Sequence, residues 1–151
     1  MNVLSLFSNV GFGEVLLKNF GINVVCANEM LSDRCELYKA LHPDTEVVCG
    51  DISDSNIQNS IFDYTEGIKI DLILATPPCQ GMSVANATKS PNDPRNKLIV
   101  HAMDFFVKLI PDYMLIENVP GFAKTFININ GSTINTIDYI KSRLPSGHSL
   151  T

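Results

Sequence analysis

The chain has 151 residues, enough for one domain with a substantial core and too few for two comfortable ones. With 45% hydrophobic and 18% charged residues it reads as globular rather than disordered, and no apolar run approaches the roughly 18 to 20 residues that cross a bilayer. A formal net charge of −5 argues against a free-standing, high-affinity nucleic-acid binder, because phosphate contacts need lysine and arginine.

The opening "MNVLSLF" has neither a basic leader nor a small-residue cleavage site, so no signal peptide is read there. Asn2 to Phe7 is apolar and of strand length, and Gly13 to Phe20 then looks helical. Ile22 to Asn28 is a second strand. A helix from about Ser32 to Leu41 follows, with Ser32 as N-cap and His42-Pro43 as its stop. "EVVCG" is a third strand, and about Ser55 to Tyr64 forms a weak helix. "IKIDLILAT" is the fourth strand, followed by a helix from about Asn96 to Leu109. "DYMLIEN" is the fifth, ended by Pro120-Gly121, and "STINTIDYIKSRL" closes as a helix stopped by Pro145 and Gly147.

Strands apolar on both faces, separated by helix-length segments, imply an α/β fold: a Rossmann-like, doubly wound, mostly parallel sheet. The last predicted element is a helix, where this architecture supplies a further strand. The chain is therefore expected to be a fragment, or to take its remaining elements from a second chain.

Ligands of such sheets bind beyond the carboxyl ends of the strands. After the first strand comes "FSNVGFGE", where Gly11 and Gly13 permit tight turns and Asn9 tolerates positive φ. After the second comes Glu29, an acid placed to accept both hydroxyl hydrogens of a ribose. After the third comes Asp51, an acceptor for an adenine amino group. Each alone reads as an ordinary turn or cap. Their occurrence after three successive strands describes a pocket for an adenosine-containing cofactor. Asn9 fills the first position of G-x-G-x-x-G and no glycine completes it, which disfavours a nicotinamide dehydrogenase.

The fourth strand runs into "TPPCQ" and the fifth into "ENVPGF". Prolines that end a strand stiffen its exit, so Cys79 is held out on a fixed backbone. The commoner fate of cysteine is a small buried hydrophobe, and that reading is given to Cys26 and Cys49 in strands and Cys35 on a helix. The four cysteines form no CxxC pair and none stands at zinc-ligand spacing with a histidine, so no metal site is expected, and a reduced, cytoplasmic chain is the default. A carboxylate beside Cys79 would raise the thiol pKa. Glu117 makes sense if it addresses the substrate instead, hydrogen-bonding a ring nitrogen while Cys79 attacks carbon. The bland alternative for Glu117 is a cap or ion-pair carboxylate.

"TPPCQGMS", then "DPRNKL", then "ENVPGF" together resemble the cytosine-5 DNA methyltransferase family, in the order that family uses, and "LFSNVGFGE" looks like its S-adenosylmethionine loop. The resemblance covers residues 1–151 as a partial S-adenosylmethionine-binding catalytic domain, without the target-recognition domain or the carboxyl-terminal cofactor segment. It implies that Cys79 adds to C6 of a flipped cytosine in double-stranded DNA. A protonated Glu117 would assist at N3, and Asn118 would hold the loop. It also implies a cofactor site lined by Phe7, Gly11, Glu29, Met30, Asp51, Ile52, Pro78 and Leu98, with Met30 and Ile52 flanking the adenine. Gln80, Ser83, Lys89 and Arg95 become the expected DNA contacts, the last two in a basic Pro/Asn-rich loop whose bland reading is a solvated surface loop. Asn9 and Phe12 depart from glycines of the family loop. The implied enzyme is of restriction–modification character, weakly active or inactive as this chain alone. A tRNA cytosine-5 methyltransferase and a non-catalytic cofactor- or partner-binding subunit are the alternatives.

Overall fold

Short runs such as Val3-Leu4-Ser5-Leu6 are too brief for a helix and carry apolar residues on both faces, so each is stable only inside a sheet covered on both sides. The computed structural model of the chain describes residues 1–78 and 94–151. Five strands, β1 (Asn2–Leu6), β2 (Asn23–Glu29), β3 (Glu46–Cys49), β4 (Leu72–Ala75) and β5 (Tyr113–Ile116), pair in the order β3-β2-β1-β4-β5. Every pairing is parallel. The central strand β1 sets Leu4 against Cys26 and Ile73, and Leu6 against Asn28 and Ala75. Val3, Leu4, Leu6 and Ile73 are fully buried.

The chain divides into two compact units, residues 1–76 with 111–116, and residues 77–110 with 117–151. The first holds the sheet and two helices, α1 (Ser32–Leu41) and α2 (Ser55–Thr65). The buried Cys35 and Tyr38 of α1 cluster with Ala27 of β2 and Val47 of β3. Asp54 caps α2, its side chain accepting from the Asn56 N–H at 2.8 Å. Cys26, fully buried in β2, has its thiol pKa pushed up to about 12, chiefly by burial and secondarily by Glu46.

The second unit contains α3 (Leu98–Leu109), preceded by a 3-10 turn at Pro94–Lys97, then a hairpin of β6 (Phe126–Ile129) and β7 (Ser132–Asn135), and α4 (Thr136–Arg143). Asn135 caps α4 by accepting the Ile137 N–H at 2.9 Å. Arg143 on α4 donates to Asp104 on α3 at 2.9 Å.

Four expectations need correction. Gly13 to Phe20 is not an α-helix but two 3-10 turns, Phe12–Glu14 and Leu17–Phe20. Eight residues are too few to sustain a helix without a buried face, and here Phe12, Leu16 and Phe20 are all exposed. Ser32 is the first helical residue of α1 rather than its cap, a place taken by the extended Leu31. Ser132–Asn135 is a strand rather than the start of a helix, and β6 was not foreseen. Asn130 and Gly131 both adopt positive φ (51° and 85°) between paired Ile129 and Ser132, the two-residue turn that Asn-Gly favours. Finally, Cys49 is exposed and bonded to Cys35 as a disulfide, so neither is the inert reduced thiol expected. Sequence separation conceals that α1 and the end of β3 bring their Cα atoms to 6.0 Å.

One electrostatic clip ties the sheet at its amino edge. Asp71 accepts the Asn2 N–H at 2.7 Å and pairs with Lys69 at 3.0 Å, and Lys69 also reaches Asp112 at 2.7 Å. The Asn2 N–H first, then Lys69, holds the Asp71 carboxyl below the usual carboxylate range. Such a group stabilises the fold fully above its unfolded value, about 3.9, and less as pH falls through its lower folded value. In thermal melts between pH 7 and pH 3, Asp71→Asn is expected to melt below wild type at neutral pH, with the gap closing below about pH 4.

Candidate functional site

From β1 the chain steps to β2 and β3 on one side, and β4 and β5 lie on the other. The switch point at β1 marks the sheet edge where ligands of open α/β folds bind. The loop leaving β1 has left-handed backbone at Phe7 (φ 60°), Asn9 (φ 52°) and Gly11 (φ 74°). Such a conformation costs a non-glycine residue about 1–2 kcal/mol, and neighbouring strands offset it. Thr76 Oγ1 donates to the Phe7 carbonyl at 2.9 Å. The Ser8 N–H and Oγ both donate to the Asn28 carbonyl, at 3.0 and 3.2 Å. Gly13 has no positive φ and an added Cβ would meet nothing, so the role expected of two glycines falls to Gly11 alone.

Beneath Gly11 lies a polar cluster that the motifs did not single out. Glu14 is buried, accepting Ser5 Oγ at 2.6 Å on one oxygen and the Tyr38 hydroxyl on the other. Burial first, and then the Glu14 charge, pushes the Tyr38 pKa up, keeping its hydroxyl a donor. His42 Nε2 lies 3.0 Å from the Gly11 carbonyl oxygen, and its ring packs 4.5 Å from that of Tyr38. A Cβ at Gly11 would come within 2.5 Å of His42 and 2.6 Å of Tyr38. Tyr38 and His42 stand four apart, on one face of a helix turn. That spacing, with Glu14 closing "GFGE", was the available signal.

Glu29, only 6% exposed at the end of β2, joins three elements. One carboxylate oxygen accepts the Asn9 N–H and the other the Leu31 N–H, each at 3.0 Å. Its backbone carbonyl accepts the Gly50 N–H beyond β3 at 2.9 Å. Two donors, one on each oxygen, leave the carboxylate capacity for two more. Asn28 adds its amide to the Val48 and Gly50 carbonyls at 2.9 and 3.1 Å. Met30 is 61% exposed and Ile52 is buried. Asp51 is exposed, one oxygen accepting the Ser53 N–H at 2.8 Å. Phe7, Gly11, Glu29, Met30, Asp51 and Ile52 all fall in the first unit, at the carboxyl ends of β1, β2 and β3.

Pro78, Arg95, Leu98, Glu117 and Asn118 fall in the second unit. Asn118 Nδ2 donates to the Pro77 carbonyl at 2.8 Å, while its Oδ1 accepts the Val119 N–H at 2.9 Å. The loop after β5 is thereby tied to the one after β4, two residues before Cys79. Glu117 is exposed, and Leu98, half-buried, opens α3. Cys79, Gln80, Ser83 and Lys89 lie outside the described residues.

Residues 1–140 match the model of the C-5 cytosine-specific DNA methylases, and the chain belongs to that family. It is 41% identical over 131 residues to the type II methyltransferase M1.HgaI of Avibacterium volantium, covering 84% of this chain and 37% of that one. It is 31% identical over 126 residues to the human tRNA (cytosine(38)-C(5))-methyltransferase, covering 81% and 31%. Among solved structures it resembles, at TM-score 0.64 and 31% identity, a prophage-encoded protein of E. coli described as a DNA modification methyltransferase, covering 81% and 33%. The chain spans about a third of the length of these relatives. The family thus includes members acting on DNA and on tRNA, and the fold is the α/β architecture expected.

Replacing Tyr38 with Phe removes one donor from the buried Glu14 without changing volume much. The expected cost is about 2 kcal/mol, because a buried carboxylate oxygen is left unpaired. Urea unfolding of Tyr38→Phe against wild type measures it.

Proposed function

We propose that this chain is the cofactor-binding, catalytic portion of an S-adenosylmethionine-dependent cytosine-5 methyltransferase acting on double-stranded DNA. The observation that carries the reading is Glu29: a nearly buried carboxylate that organises the β1 loop yet retains acceptor capacity. That acceptor capacity fits a ribose diol, and Asp51, exposed beyond the neighbouring strand, fits an adenine amino group. Met30 and Ile52 would flank the adenine. Phe7, Gly11, Pro78 and Leu98 would complete the lining.

S-adenosylmethionine bound there would supply an electrophilic sulfonium methyl. The remaining chemistry belongs to the chain. The Cys79 thiolate adds to C6 of a cytosine drawn out of the duplex, while Glu117 donates a hydrogen bond at N3, so that the electron pair develops at C5. Asn118, through Pro77, fixes the backbone leading to Cys79. After C5 is methylated, loss of its proton lets the Cys79 sulfur depart and restores the aromatic ring. Gln80, Ser83, Lys89 and Arg95 would contact DNA.

With a net charge of −5, most phosphate-binding surface is assigned to a target-recognition region, on further sequence or on a second chain. Residues 1–151 are taken as one catalytic domain of a cytoplasmic restriction–modification enzyme. Among the described residues no helix is long and apolar enough to cross a membrane. The tRNA reading rests on the 31% identity to the human tRNA methyltransferase; the higher identity to a type II methyltransferase favours DNA.

Calorimetry with S-adenosylhomocysteine tests the cofactor site directly. Glu29→Ala is expected to weaken binding by at least roughly tenfold, the worth of about 1.4 kcal/mol. In whatever chain or pair of chains turns over, Cys79→Ala should abolish transfer of a labelled methyl group. Retained transfer would reject the nucleophile. Transfer to tRNA in preference to duplex DNA would select the other substrate.

A further inference from the structure

Two cysteines that the proposed chemistry does not use sit against the cofactor-binding strand ends. Cys35 is buried on the first turn of α1, and Cys49, the last residue of β3, is exposed. Their sulfurs are joined. Cys35 Sγ also lies 3.3 Å from the Glu29 carbonyl oxygen. That same oxygen accepts the Gly50 N–H, which follows Cys49 directly. The pair therefore borders a carbonyl through which the end of β2 holds the segment leading to Asp51.

We propose that Cys35 and Cys49 form a redox-responsive site whose disulfide locks the ends of β2 and β3 together and strengthens binding of the adenosine cofactor. The inference rests on the cofactor reading given above and adds its regulation. Its chemistry balances with hydrogen peroxide as oxidant. The exposed Cys49 thiolate attacks one peroxide oxygen, breaking the O–O bond and leaving a sulfenic acid and hydroxide. The Cys35 thiolate then attacks that sulfur, forming the S–S bond and expelling a second hydroxide. The two thiol protons convert both hydroxides to water, two electrons passing from sulfur to peroxide. A dithiol reverses the bond by exchange.

The effect on binding follows from what each state leaves free. In the dithiol state the end of β3 is held to β2 by backbone hydrogen bonds and the Asn28 amide, and α1 is held by packing. The disulfide adds a covalent tie between α1, which begins just after Glu29 and Met30, and the residue before Gly50-Asp51. A ligand engaging both acids then orders less on binding. Cys26 takes no part, being buried in β2 with its thiol pKa raised.

The full chain is treated with stoichiometric hydrogen peroxide or with dithiothreitol, the cross-link is located by peptide mass mapping, and S-adenosylhomocysteine is titrated into each form. Expected are a Cys35–Cys49 linked peptide after peroxide and a dissociation constant lower by about threefold or more in that form. Cys49→Ser, altered at an exposed position, should bind equally in both conditions, at the affinity of the reduced wild type. A mapped disulfide with unchanged affinity overturns the inference alone, as does failure to form the link. Absence of binding in both forms overturns it together with the cofactor reading.

Discussion

Taking a carboxylate out of water costs several kcal/mol unless its oxygens find donors. Glu29 meets that demand with backbone N–H groups from two different segments, Asn9 in the β1 loop and Leu31 at the start of α1. Neither segment is regular there, so neither N–H is taken up by a helix or strand ladder. The carboxylate thus fixes the loop, the helix start and, through its own carbonyl, the exit of β3. The exits of β1, β2 and β3 are arranged around this one residue.

Two layers of support can be separated. Glu29 acts from the β2 side, while Glu14 with Ser5, Tyr38 and His42 supports Gly11 from below. The first layer leaves acceptor capacity on Glu29; in the second, both oxygens of Glu14 are engaged by protein donors. Chain connectivity adds a further division. The loops after β1, β2 and β3 belong to one compact unit, and the segments after β4 and β5 belong to the other. Phe7, Gly11, Glu29, Met30, Asp51 and Ile52 fall in the first, and Pro78, Leu98, Glu117 and Asn118 fall in the second.

Strand identity was legible because period and length agree: Val3, Leu4, Leu6 and Ile73 are all fully buried, as apolar residues of central parallel strands are. The positions of Glu29 at the end of β2 and Asp51 beyond β3 were legible from the strand pattern alone. The Ser5–Glu14–Tyr38 cluster was not, since a buried carboxylate is recognised by its partners, and these come from β1, a turn and α1. The β6–β7 hairpin was written in Asn130-Gly131 but masked by a polar stretch that also suits a helix start. The Cys35–Cys49 contact depends on how α1 returns across β3, which no local spacing encodes.

Cys26 offers a use beyond packing. It sits in β2, whose two edges are covered by β1 and β3, and it is fully buried. No small motion of a loop or terminus would bring its thiol to solvent; the sheet itself must part. Its capture by a thiol reagent therefore counts openings of the sheet, much as the slowest backbone amides do in hydrogen exchange. The chain carries its own gauge of global opening.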